Sequence, residues 1–446
     1  MKLAEQWQHS SWYTLFNLKD DLAKGRLSLM LHNALGSMIT WMTTGLFHTS
    51  FLMANDIDLV NINIITFVPY IAGCFALVGP VILERFQKRK HILISGRFLS
   101  FTFRLLCTTI LPLLVKNLHL KIICFVALEF LSSVIDNVIT SGLSAWHIRF
   151  MPENIRADFL AVSTLVTQTL GIGAALLSSV VADALNGSPY EQTIIVILRY
   201  AAYGLAILNC LVLAWPKELP YETTRQKPRL TDIFTIPCRN RKFILTMGIV
   251  FLWGFFASAP GATLNYYLLN NVGVSYSFIN IINMFYALFL ILFTPFWKKR
   301  LRDIGWWKTF AYAAILHVPT TIMYSCVTSF NFLWLLPTLR LIQHFLGVGM
   351  NIAYENVAYL NMPYTDQTNY MSFRTLINNA SAFAGMMAST WFVATFPDIC
   401  LSLLGLEFIN AQILLWVQAL GQLVIPLLIL RFLPAIQPDD PRRRNA

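Results

Sequence analysis

The chain has 446 residues, 56% hydrophobic and only 12% charged, with a mean hydropathy of +0.58. A soluble domain carries about 25% charged residues, so this composition excludes a soluble globular protein and indicates a polytopic membrane protein. Thirty-three Lys and Arg against 22 Asp and Glu give a formal charge of +11; the excess lies in loops, which reads as membrane topology and not as nucleic-acid binding.

Met1 to Arg26 is polar. Its Trp7, Trp12, Tyr13 and Phe16, beside Lys19, Lys24 and Arg26, fit either a short helix on the membrane surface or a disordered leader. The first apolar run begins near Leu27 and is too long for a signal-peptide core, so no cleavable signal is expected. Twelve apolar segments follow, each near the ~20 residues that a bilayer requires. They are 27–54, 59–83, 92–115, 120–146, 159–181, 193–215, 243–269, 276–296, 307–327, 332–359, 370–396 and 408–433. An all-α protein of two six-helix bundles is therefore expected. Its parts are a leader (1–26), a first bundle (27–215), a linker (216–242), a second bundle (243–433) and a basic tail (434–446). The linker is the most charged loop, and its middle, 230–236, suits a short surface helix.

Several spans carry polar residues at helical spacing. Span one has Asn33, Ser37, Thr40, Thr44 and His48; span four has Glu129, Ser133, Asp136, Thr140 and Ser144. Span five adds Thr164, Gln168 and Gly171. Span seven has Gly254, Ser258, Gly261 and Asn265; span ten has Arg340, His344, Gly347, Asn351 and Glu355. At about 100° per residue each set forms one stripe. Polar and ionisable groups in apolar helices are costly in lipid, so they face a cavity or a partner.

The two halves repeat. Met151-Pro152 follows span four and Met362-Pro363 follows span ten; the same offset of 211 residues carries Glu129 onto Arg340, Ser133 onto His344 and Ser144 onto Glu355. Twenty-seven of the 33 basic residues lie on one side of the alternating loops, against Lys116 and Lys121 on the other. By the positive-inside rule both termini and the linker are cytoplasmic, in the cell membrane. The seven cysteines form no CxxC pair and no metal-ligand spacing, and five lie in apolar spans, which suits small core residues. No metal and no cofactor is expected.

At this point the chain resembles the major facilitator superfamily of transporters, over its whole length. The topology carries the resemblance better than the loop motif Gly-x-x-x-Asp-Arg-x-Gly-Arg-Arg/Lys. The first copy here runs from Pro80 through Glu84, Arg85, Phe86, Gln87, Lys88 and Arg89; the second keeps Gly305 but reverses the acid and base as Arg302-Asp303. The resemblance implies alternating access, with spans one, four, seven and ten around a cavity. It also implies a cytoplasmic gate at Glu84, Arg85, Lys88, Arg89, Asp303, Gly305 and Glu355. Span five lacks the Gly-Pro-x-x-Gly-Gly run of antiporters, which favours symport with H⁺ or Na⁺ over drug export.

Candidate substrate or coupling residues are Asn33, Thr40, Arg104, Glu129, Asp136, Thr140, Gln168, Asn265, Arg340, His344 and Asn351. Glu129 admits two readings: an ion pair with Arg340, or a pair in its own half with Arg104. Asp136 is the candidate proton carrier, or else a structural acid held by Asn137 or an Arg. Arg97 and Arg199, nearer span ends, can snorkel and are read first as structural. Trp41, Trp253, Tyr266 and Tyr354 offer faces on which a ligand could stack. The expected partners are a small solute, the coupling cation and the bilayer, with no nucleic acid and a monomeric chain. The alternatives are an exporter of the same fold, a membrane enzyme, or a sensor that binds without transport. Against an enzyme stand the absence of HExxH, paired metal ligands and a phosphate loop.

Overall fold

The computed structural model describes residues 20–83, 86, 88–148, 150–151, 153–218, 231–362, 367–403 and 406–437. The leader before Asp20 and the tail after Gln437 lie outside them. Helical segments occupy all twelve expected spans. Among the described residues nine are long and apolar enough to cross a membrane unaided. The other three are the first, broken into Asp21–Thr43 and Leu46–Met53, the ninth, Trp306–Tyr324, and the eleventh, Gln367–Thr395. The chain divides into two compact units, Met1–Ile57 with Phe75–Pro228, and Asp58–Cys74 with Arg229–Ala446.

In the first unit the opening helix starts earlier than expected, because the Asp20 carboxylate caps Leu22 N–H at 3.0 Å. It breaks at Thr44-Gly45. Thr40, Thr43 and Thr44 each turn a hydroxyl back onto the carbonyl four residues earlier, and Gly45 takes φ +59°. The helix packs on span five, Glu153–Ala184, and span six, Glu191–Ala214. Gly171 permits that approach: a Cβ there would lie 2.1 Å from Ser37 Oγ and 2.8 Å from Trp41 Cδ1. Span three is not a continuous α-helix. Lys90–Phe101 and Thr108–Leu114 flank a π-helical turn at Thr102–Cys107, which contains Arg104. Such turns free a carbonyl from the α-ladder and recur at functional sites. Span four is the long helix Leu118–Ile148.

The second unit includes the first part of span two, Asp58–Cys74, which a division at the linker assigns to the first half. Its helix Leu59–Gly73 packs on Gln367–Thr395 and on Gly261–Tyr266. The contacts are specific. Asn63 Nδ2 donates to Thr263 Oγ1 at 2.9 Å, Phe67 meets Phe383 edge-on at 5.3 Å, and a Cβ on Gly73 would lie 2.3 Å from Asn379 Nδ2. The helix then gives way to a 3₁₀ turn, Cys74–Leu77. The short helix expected after the linker is present at Asp232–Cys238. Span seven runs from Arg241–Ser258 into Gly261–Tyr266 and a second π-helical turn, Tyr267–Val272. Span eight, Tyr276–Ile304, extends through the basic run Lys298–Arg302 that was expected in a loop. The unit's main apolar cluster joins spans eight, nine and ten through Trp297, Trp307, Phe310, Val348 and Ala353. Between spans eleven and twelve lies an antiparallel hairpin, Cys400–Leu403 with Leu406–Ile409, before the last long helix, Asn410–Arg431.

All seven cysteines are free; only Cys210 is buried, so the expectation of core cysteines holds for that one. Cys238 and Cys400 are exposed.

Candidate functional site

The first unit contains a ladder of charged residues. Glu129, on span four, is buried, and Arg104 Nε lies 3.6 Å from its Oε2. Arg104 Nη2 also donates to Ser133 Oγ at 2.9 Å. Arg199, on span six, is only 2% exposed. Its Nη2 donates to Thr108 Oγ1 at 2.6 Å and to the Arg104 carbonyl at 3.0 Å, and its Nε to Thr109 Oγ1 at 2.8 Å. The guanidinium stacks on Phe51, 4.1 Å from the ring centroid. The π-turn explains this arrangement. It frees the Arg104 carbonyl, and Arg199 and Thr108 satisfy it. Arg199 therefore does not snorkel; it is a buried hub holding span three to span six. Arg97 does not snorkel either. It is ion-paired to Asp136 and lies 4.5 Å from the Phe101 centroid. Of the two readings of Glu129, the Arg104 pair is the one observed, and Asp136 has the neighbouring Arg that its structural reading required.

The remaining predicted residues of this unit are more open. Asn33 and Gln168 are exposed and make no side-chain hydrogen bond among the described residues. Thr40 and Thr140 bond the carbonyls of Gly36 and Asp136. Of the expected gate, Glu84 and Arg85 lie outside the described residues. Lys88 is exposed, whereas Arg89 is buried and bonds the Phe86 carbonyl at 2.9 Å. Sequence reading missed Glu218. It accepts from the backbone N–H groups of Arg89 and Lys90 at the start of span three, while Lys90 Nζ reaches the Ala214 and Pro216 carbonyls at 2.7 Å.

The second unit holds a polar cavity of about 540 Å³ within its apolar spans. Span ten contributes Arg340, Gln343, His344 and Asn351. Arg340 Nη1 donates to Gln343 Oε1 at 3.3 Å, and the guanidinium lies 5.0 Å from the Tyr324 ring centroid. Among the described residues no carboxylate lies within 4 Å of Arg340. His344 is buried and bonds the Ile282 carbonyl through Nε2 at 3.0 Å, which fixes its ring. Asn351 donates to the Tyr286 hydroxyl at 2.5 Å. Span nine contributes His317, Thr321 and Tyr324, and span twelve Gln418 and Gln422. His317 Nδ1 lies 2.9 Å from Thr321 Oγ1 and 3.3 Å from Gln422 Oε1, and Thr321 donates to that oxygen at 2.7 Å. The Tyr324 hydroxyl is buried with no partner among the described residues. Trp253 also lines the cavity, with its ring edge against Phe310 at 4.7 Å.

Asn265 is half-buried on span seven and does not line this cavity. Asp303 lies 3.9 Å from its neighbour Arg302, and Gly305 takes φ +83° at the turn between spans eight and nine, where a left-handed residue is needed. Glu355 accepts from Arg374 at 2.6 Å, joining spans ten and eleven. Tyr354 is engaged with Asn378 at 3.2 Å.

The residues overlooked in the sequence, His317, Thr321, Gln418 and Gln422, carried the same signal as those identified. His317 and Thr321, and Gln418 and Gln422, are each four apart in an apolar span. They lie on spans nine and twelve, outside the four spans that the family resemblance places around the cavity.

The model of the Major Facilitator Superfamily matches residues 29–386. The fold is similar to solved structures across nearly the whole chain. The nucleoside transporter NupG aligns at TM-score 0.65 and 12% identity, covering 93% of this chain and 99% of that one. The POT family transporter PepTSo aligns at 0.66 and 13%, covering 93% and 99%. The inward-open xylose transporter XylE from E. coli aligns at 0.62 and 12%, covering 92% and 96%. Among curated protein sequences none matches the chain. The chain belongs to the Major Facilitator Superfamily, and its architecture is the twelve-span transporter fold of that family.

Proposed function

We propose that the chain is a secondary active transporter that moves a small polar organic solute across the cytoplasmic membrane by alternating access, with both termini inside. The carrying observation is the cavity of about 540 Å³ in the second unit, a volume in the range of small-ligand sites, where polar groups of spans nine, ten and twelve converge inside apolar helices. Solute binding there uses Arg340, Gln343 and Gln422. Coupling to H⁺ or Na⁺ in symport is placed on the first unit. Protonation of Glu129 would release Arg104, and through the shared π-turn would loosen the Arg199 contacts between spans three and six. The gate residues Arg89 and Glu355 stay at the loop ends, and the working form is a monomer.

The test is flux in proteoliposomes containing the purified chain, with radiolabelled neutral sugars, zwitterionic amino acids and organic anions, under imposed proton or sodium gradients. Gradient-driven accumulation of one class is expected. No movement of any class refutes transport, and accumulation indifferent to both gradients refutes symport. Binding without flux identifies a sensor, and a solute recovered chemically altered identifies an enzyme.

A further inference from the structure

Resting on the reading of the second unit's cavity as a solute site, we infer that its substrate is a hydroxylated organic monoanion, bearing one carboxylate and no cationic group. The argument is a balance of charges and donors. Among the described residues Arg340 is the one permanently charged side chain lining the cavity, and no Asp, Glu or Lys lines it. Its single hydrogen bond among the described residues, from Nη1 to Gln343, leaves Nε and Nη2 unengaged there. A guanidinium with idle donors at membrane depth is costly, and a planar carboxylate matches its fork in two parallel bonds.

The surrounding groups extend the argument. Gln422 is 4% exposed; its Oε1 accepts from Thr321, while its Nε2 has no hydrogen-bond partner among the described residues. The Tyr324 hydroxyl, beside Arg340's stacking face, is likewise unpartnered. The free capacity near Arg340 is thus mostly hydrogen-bond donors, which suits oxyanion and hydroxyl acceptors. Farther along span ten, the Asn351 amide group is committed to Tyr286, which leaves its carbonyl oxygen to accept from a ligand hydroxyl. An amino acid fits poorly: its ammonium would be buried with no carboxylate to receive it. A neutral sugar would leave Arg340 uncompensated, and a dianion would meet one cation.

The experiment uses the full chain in detergent and in proteoliposomes with four probes: gluconate, glucuronate, glucose and alanine. Gluconate or glucuronate is expected to raise the melting temperature and to be taken up, while glucose and alanine do neither. Arg340→Gln is expected to weaken anion binding about 10- to 100-fold, as the loss of a charge-assisted pair implies, with Arg340→Lys in between. Arg340→Lys keeps the charge and guards against a fold defect in the first variant. Transport of glucose or alanine in preference to both anions overturns the inference and leaves the transporter reading standing, as does anion uptake indifferent to Arg340→Gln in a folded variant. Failure of all four probes to bind or move overturns the inference and, once the wider panel above also fails, the transporter reading with it.

Discussion

Glu129 is the keystone of the first unit's buried charges, and its removal has a calculable consequence. Arg104 Nε stands 3.6 Å from its carboxylate. At an effective dielectric of about 20 that separation corresponds to roughly 4–5 kcal/mol of attraction. Arg104 is 28% exposed on its side chain and Glu129 7%, so part of the attraction is screened; about 2–3 kcal/mol is expected to appear in stability. Glu129→Gln keeps the shape and deletes the charge, leaving Arg104 and Arg199 as two unneutralised guanidinium groups joined through the Arg104 carbonyl. Breaking a buried pair in this way costs more than removing both partners, because the survivor remains charged. Glu129→Gln should therefore be the more damaging single change. Arg104→Gln also loses the Ser133 bond, but it leaves the Arg199 charge acting on Glu129 and so should cost slightly less. The double variant should be no worse than Glu129→Gln alone, giving a coupling energy of at least ~1 kcal/mol. The assay is thermal unfolding of the four proteins in one detergent at one scan rate. Costs that add to within ~0.5 kcal/mol would show the two residues to be independent and refute the reasoning.

Three further outcomes follow from other contacts. Gly385 on span eleven admits no side chain, since a Cβ would lie 2.1 Å from the Phe255 carbonyl oxygen, which is backbone. Gly385→Ala should lower stability by about 1–3 kcal/mol, read as a fall in melting temperature, and an unchanged value would contradict the packing. Replacing Arg199 by Leu removes three side-chain hydrogen bonds and the Phe51 contact; it should reduce stability far more than Arg199→Lys, measured by the same melt. At the surface, bonds from Lys217 and then Lys24 hold the Asp21 carboxyl below its usual value near 3.8. A depressed carboxylate stabilises the fold above its unfolded pKa, and the contribution vanishes as pH falls through the folded value. The melting difference between the native chain and Asp21→Asn should thus be present at neutral pH, small for so exposed a group, and should close as pH drops below about 4; a gap that widened in acid would refute the pairing.

The class of fold was legible because it depends on sums over many residues. Low charge, twelve apolar runs and a one-sided distribution of Lys and Arg survive any error at a single position. Periodicity likewise placed Arg340, His344 and Asn351 on one face of span ten, and the structure puts all three on one cavity. What could not be read is local departure from the ideal helix. The π-turn at Thr102–Cys107 rotates Arg104 and offers its carbonyl to Arg199, and no hydropathy window marks it. Arg199, placed near a span end, is held sideways by its neighbours and not drawn toward water. The contacts of span two could not be read for a related reason. Asn63, Phe67 and Gly73 are unremarkable in sequence, and only their counterparts Thr263, Phe383 and Asn379, more than 190 residues away, make them an interface. The same holds for the cavity. Gln422 in isolation is one amide in an apolar helix; beside Thr321 its acceptor is consumed and its donor left over. That leftover donor and the unengaged nitrogens of Arg340 have the same sign of demand, and the inferred preference for an anion rests on this agreement between independent spans.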